Sequence, residues 1–161
     1  MAWKQHVLVV ANLTAGSQAL LNLLRHRAER APTAIHLIVP ASPFGDGRDA
    51  AIRNLQRALA QLREEGLEAD GVLGHPDPFI AVIEVWDPRQ YDEIIVSTLP
   101  LGVSKWLRAG LPERVERTTG AWVEHVVSEP PSRTLATRRP PVHEDLGVLT
   151  PLSVLGWGHR K

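Results

Sequence analysis

Apolar residues fall into two kinds of run along this chain. Short, β-branched blocks alternate with longer segments in which Leu, Ile and Ala recur three and four positions apart. "HVLVVA" (6–11) is nearly continuous in apolar character, as a central parallel strand covered on both faces requires. "AIHLIVPA" (34–41), "EADGVLG" (68–74), "YDEIIVST" (91–98) and "AWVEHVV" (121–127) read as four further strands.

Between them lie helical patterns. "SQALLNLLRHRAER" sets Leu20, Leu21, Leu24 and Ala28 on one stripe. The next helix places Ile52, Leu55, Leu59 and Leu62 on its inner face, with Asp46 as N-cap and Gly66 as the stop. Asp77 caps a third helix with Pro78 at its first position, and "PERVERTTG" forms a fourth that ends at Gly120. Strand and helix alternate throughout, so the pattern predicts a five-stranded parallel sheet with helices on both faces, a doubly wound, flavodoxin-like α/β/α sandwich.

The pattern stops at Ser128. Residues 128–161 hold five of the thirteen prolines, and their five basic and three acidic residues give a net charge of +2. Pro130–Pro131 and Pro140–Pro141 forbid helix and favour an extended chain. "LGVLTPLSVLGW" (146–157) is apolar enough to seek cover against the body or a second subunit. The expected organisation is a 1–127 α/β domain with a 128–161 Pro- and Arg-rich extension.

Composition narrows the function by exclusion. Formal net charge is zero, which gives no bulk attraction to nucleic acid or to an anionic membrane. Cysteine is absent, so disulfides, thiolate metal sites and a Cys nucleophile are ruled out. The opening "MAWKQHVLVVANL" reads as a first strand rather than a signal peptide, and no stretch nears the ~20 apolar residues of a membrane helix. A cytoplasmic protein is expected.

In an open parallel sheet, ligands bind beyond the carboxyl ends of the strands, where strand order reverses. The loops to watch are therefore 11–17 and 97–111. No Walker sequence, G-x-G-x-x-G turn or G-x-S-x-G elbow occurs. The seven histidines are scattered, with no carboxylate at ligand spacing, and Ser97 and Thr98 end a strand with no evident base. Metal sites and catalysis are not expected.

Three stretches together resemble the universal stress protein family over residues 5–127: "VLVVANLTAGSQALLNLL", "GVLGHPDPFIAVIEVW" and "YDEIIVSTLPLGVSKWLRAGLPERVERTTGAWVEHVV". The resemblance implies an ATP site built on an Asp closing strand one and a G-x2-G-x9-G-[ST] loop after strand four. Here the Asp position is Asn12, and the loop spacing lands on Ser97, Pro100, Gly110 and Leu111. Ser97 adds a Cβ where backbone should approach phosphate. Pro100 has no N–H to donate, and Leu111 replaces a hydroxyl with an apolar side chain. Only Gly110 survives, so ATP binding of the family's kind is expected to be lost.

Two readings follow. One is a non-enzymatic domain that acts by association: a homodimer through the last strand (121–127), as the resemblance implies, and a protein partner for the tail. No cofactor is expected under it. The alternative is a sensor of an adenine nucleotide or another small anion, held by Asn12, Thr14, Ser97, Gly102, Ser104, Lys105 and Gly110. The plainer account of the loop makes Lys105 and Arg108 solvated charges flanking Trp106, which tucks beneath it.

Overall fold

The computed structural model describes residues 3–129. Its elements are β1 (Gln5–Val10), α1 (Gln18–Arg30), β2 (Thr33–Pro40), α2 (Gly47–Glu64), β3 (Glu68–Gly74), α3 (Pro78–Val85), β4 (Glu93–Thr98), α4 (Lys105–Arg108), α5 (Leu111–Thr119) and β5 (Trp122–Val127). The five strands form one sheet in the order β3-β2-β1-β4-β5, and every neighbouring pair is parallel. The chain works outward from β1 to β3, then returns to β4 on the other side of β1. That reversal puts the switch point between β1 and β4.

Strand parity builds two cores. Val7, Val9, Ile35, Leu37 and Ile95 face one side, where they meet Leu20, Leu21 and Leu24 of α1 and Ala51, Ala58 and Leu62 of α2. Leu8, Val10, Ile38, Ile94 and Val96 face the other, against Ala81 and Val82 of α3 and Leu111 and Val115 of α5. Each buried Val, Leu or Ile contributes roughly 1.5–3 kcal/mol over its exposed state. β1 and β4 carry that burial on both faces, which explains the apolar runs Val7–Val10 and Ile94–Val96 at their centres.

Local signals act as the pattern requires, with two exceptions. Asp77 accepts hydrogen bonds from the Phe79 and Ile80 amides at the start of α3, and Gly66 follows α2 in the left-handed region at φ 78°. Asp46 occupies the N-cap of α2 but makes no side-chain cap bond, because its backbone (φ −87°, ψ 17°) is not the extended form that aims a capping side chain inward. The inner face of α2 is also turned from the expected stripe. Ala51 and Ala58 are its buried residues with Leu62, while Leu55 and Leu59 flank them and Ile52 is only half-buried. Alanines let the helix axis come close to the sheet, and larger neighbours fill the sides.

One element is additional to the predicted set. α4 is a single turn, capped by Ser104, whose hydroxyl accepts from the Leu107 amide at 3.2 Å. Residues 130–161, including the apolar 146–157 segment, lie outside the described residues. Ser128 is described and is buried.

Candidate functional site

The switch point opens into a cleft of ≈ 360 Å³ lined by Asn12, Leu13, Thr14, Thr98, Leu99, Val103, Ser104, Lys105 and Trp106. β1 and β4 end side by side here, and their following loops form the two walls. Four of the expected site residues thus come together: Asn12, Thr14, Ser104 and Lys105. Ser97, Gly102 and Gly110 do not line the cleft.

Ser97 points to the opposite face of the sheet. Its hydroxyl donates to Thr14 Oγ1 at 2.8 Å and lies 3.4 Å from Ser128 Oγ, which also accepts from Ser17 at 2.9 Å. Thr14 Oγ1 in turn donates to the Ser97 carbonyl at 3.1 Å. These buried hydroxyls tie the loop after β1 to the ends of β4 and β5. Gly102 is exposed at a loop tip where an added Cβ would meet nothing within 4 Å. Gly110 sits in the left-handed region (φ 64°) as the N-cap of α5, so its role is to turn the backbone. Leu111, at the hydroxyl position of the family motif, is buried in the core beneath α5.

Asn12 does not project freely. Its Nδ2 donates to the Pro40 carbonyl at 3.3 Å, and its Oδ1 accepts from Asn54 at 3.2 Å, which pins the top of α2 to β1 and β2. Pro100 matters as an acceptor as well as a missing donor. Its carbonyl takes the amides of both Val103 and Ser104 at 2.9 Å, closing the loop on itself. Trp106 is half-buried against the α3/α5 core, while Lys105 and Arg108 are exposed on either side of it.

Two features escaped the sequence reading. Thr98 does have a nearby base: its Oγ1 lies 2.7 Å from Nε2 of His125 on β5. Burial pushes the His125 imidazole below its usual range, with Glu113 pulling the other way. Thr98 also donates to the Leu99 carbonyl at 3.0 Å. Strand parity was the available signal, since Thr98 and His125 share a face once β4 and β5 are neighbours. The second is the apolar rim, in which Leu13 and Val103 are 60% and 64% exposed.

A larger cleft of ≈ 530 Å³ lies at the amino ends of the strands, with His6, His36, Asp70, Arg89 and Tyr91 in its wall. His36 Nδ1 is 2.7 Å from Asp70 there. It stands away from the carboxyl-end crevice where this architecture binds ligands. Among the described residues, no group of three or more His, Asp or Glu gathers to hold a metal, and no helix is long and apolar enough to cross a membrane.

No protein-family model and no curated protein matches this sequence. Solved structures do match its fold. A universal stress protein from Archaeoglobus fulgidus aligns with a TM-score of 0.56 at 14% identity, over 76% of this chain and 93% of that one. The Archaeoglobus fulgidus protein in complex with dAMP gives 0.56 at 14% identity, over 78% and 99% of the two chains. A universal stress protein in complex with cAMP gives 0.53 at 20% identity, over 80% and 100%. With the sheet order, the two helical layers and the cleft at the β1/β4 switch point, these alignments show that residues of this chain fold as a universal stress protein does.

Proposed function

We propose that this chain is a non-enzymatic domain of universal stress protein fold that acts by self-association along β5 and does not bind ATP in that fold's usual way. The observation that carries association is the state of β5. Among the described residues it is an edge strand, paired only with β4, and Trp122 and Val127 are 71% and 51% exposed on it. Edge strands in monomers are normally blunted by Pro, Lys or a bulge, and residues 122–127 contain neither Pro nor Lys. Two copies of β5 meeting antiparallel about a two-fold axis would satisfy both edges and bury both tryptophans.

Light scattering tests this reading. The full chain should have about twice its 17.8 kDa mass, and Trp122→Asp should convert it to monomer. A wild-type monomer, or a dimer indifferent to Trp122→Asp and Val127→Asp together, would refute it.

The loop supports the loss of ATP binding. Phosphate loops offer free amides to oxygens, whereas Val103 and Ser104 spend theirs on Pro100. Absence of catalysis is supported by the setting of Thr98–His125, where the hydroxyl is already engaged with the Leu99 carbonyl.

A second reading rests on the cleft itself. Its ≈ 360 Å³ falls within the range of small-molecule sites, roughly 300–1,000 Å³. Fold neighbours hold cAMP and dAMP, so a nucleoside monophosphate is one occupant to test.

A further inference from the structure

Every polar side chain in the wall of the β1/β4 cleft is spent on an internal partner, save Lys105 and the indole N–H of Trp106. Asn12 is committed to Pro40 and Asn54. The Thr14 hydroxyl exchanges hydrogen bonds with Ser97. Thr98 is held by Leu99 and His125. Ser104 caps α4 through Leu107. Lys105, by contrast, is exposed and forms no ion pair with any described residue. The rest of the lining is Leu13, Leu99, Val103 and Trp106.

The side chains of this surface select chiefly by two features. Its apolar wall rewards a flat or flexible hydrocarbon body, because a ligand rich in hydroxyls and ring nitrogens would lose water there without regaining hydrogen bonds. Its single ammonium rewards one anionic group at the rim. A phosphate carries three acceptor oxygens and up to two charges, and needs several donors to replace its hydration. A carboxylate needs far fewer. We infer that the cleft takes a small apolar monocarboxylate, such as an aryl- or alkyl-carboxylic acid, with its hydrocarbon against Leu13, Leu99, Val103 and Trp106 and its carboxylate on Lys105. This rests on the small-ligand reading of the cleft and replaces its nucleotide occupant with another chemical class.

The test uses the full chain, 4-phenylbutyrate, its neutral amide and AMP, followed by amide and indole shifts in two-dimensional NMR. 4-Phenylbutyrate should bind with a Kd of about 0.1–1 mM, the affinity open to a ligand of that size in a half-open site, with shifts centred on Leu13, Val103 and Trp106. The neutral amide should bind roughly 3- to 10-fold more weakly, and Lys105→Met should erase that difference by weakening the carboxylate alone. Val103→Asp, an exposed position whose change leaves the core intact, should abolish carboxylate binding. AMP binding more tightly than 4-phenylbutyrate, at the same residues, would overturn the inference while leaving the small-ligand reading in place. Equal affinities for acid and amide, insensitive to Lys105→Met, would also overturn it. Silence from all three probes would overturn the inference and the small-ligand reading together.

Discussion

Arg27 of α1 binds the carboxylate of Glu93 at the start of β4, and Glu93 retains only 4% of its side-chain exposure. The same guanidinium reaches Glu124 on β5, and Gln5 of β1 donates to Glu93 at 3.2 Å. One helix is thereby latched to three adjacent strands at their amino ends, while the buried hydroxyls of Thr14, Ser17, Ser97 and Ser128 do the same at the other end. Burial alone would lower the pKa of Arg27, but its hydrogen bonds to Glu93 and Glu124 and their negative charges together outweigh it and raise the value further.

Removing Arg27 should cost far more than removing Glu124. Arg27→Met leaves Glu93 buried without its counter-charge, which costs on the order of 3 kcal/mol. Glu124 is one-third exposed, so Glu124→Gln should cost no more than about 1 kcal/mol. Urea denaturation gives both values. The double variant Arg27→Met, Glu93→Leu should recover most of the loss, since an apolar pair needs no compensation. Equal costs for the two single changes would mean that burial of Glu93 is not what gives the pair its weight.

Gly71 is a close-approach position. A Cβ there would meet the Leu37 carbonyl oxygen at 2.6 Å and Leu55 Cδ1 at 2.7 Å. Leu55 can shift; the backbone of β2 cannot without breaking its ladder. Gly71→Ala should destabilise by about 1–3 kcal/mol through overpacking. Thermal melts compare it with Gly66→Ala, where nothing crowds the site and the cost arises from the positive φ alone.

Partial burial of the His125 imidazole sets one pH dependence. Because burial lowers the folded-state pKa of His125, the folded chain binds its proton less readily than the unfolded chain. The contribution is therefore complete above the unfolded value near 6.5 and is lost as pH falls through the lower folded value. Stability measured by urea at pH 7.5 and 5.0 should drop on acidification, and His125→Asn should flatten that part of the drop. An unchanged slope in the variant would assign the effect to other groups.

The sheet was legible because its information is local. Buried parallel strands need an apolar, β-branched centre, and "VLVVA" and "IIV" supply it. The Asp77 cap and Gly66 stop are likewise written within a few residues. Two helical details were not. The inner face of α2 is set by small Ala51 and Ala58, which carry little weight in a hydrophobic stripe although they decide how closely the helix sits. α4 is one turn long, too short for periodicity to register, and nothing local in the sequence marks Ser104 as its N-cap.

The site was legible in place but not in state. Topology puts the loops after β1 and β4 together, and four of the seven candidate residues do line the cleft. Whether a polar side chain is free to meet a ligand depends on partners far away in sequence. Asn12 is spent on Pro40 and Asn54, and Thr14 on Ser97. Spacing alone carries none of that. Pro100 lacks an N–H, and its carbonyl does as much to close the loop.

Calorimetric titration of the full chain with ATP, with and without magnesium, tests the central claim most directly. With the Val103 and Ser104 amides held by Pro100 and Leu111 buried in the core, no saturable heat should appear below a Kd of about 1 mM. Saturable binding with a micromolar Kd, abolished by Lys105→Met, would contradict it and restore the phosphate loop.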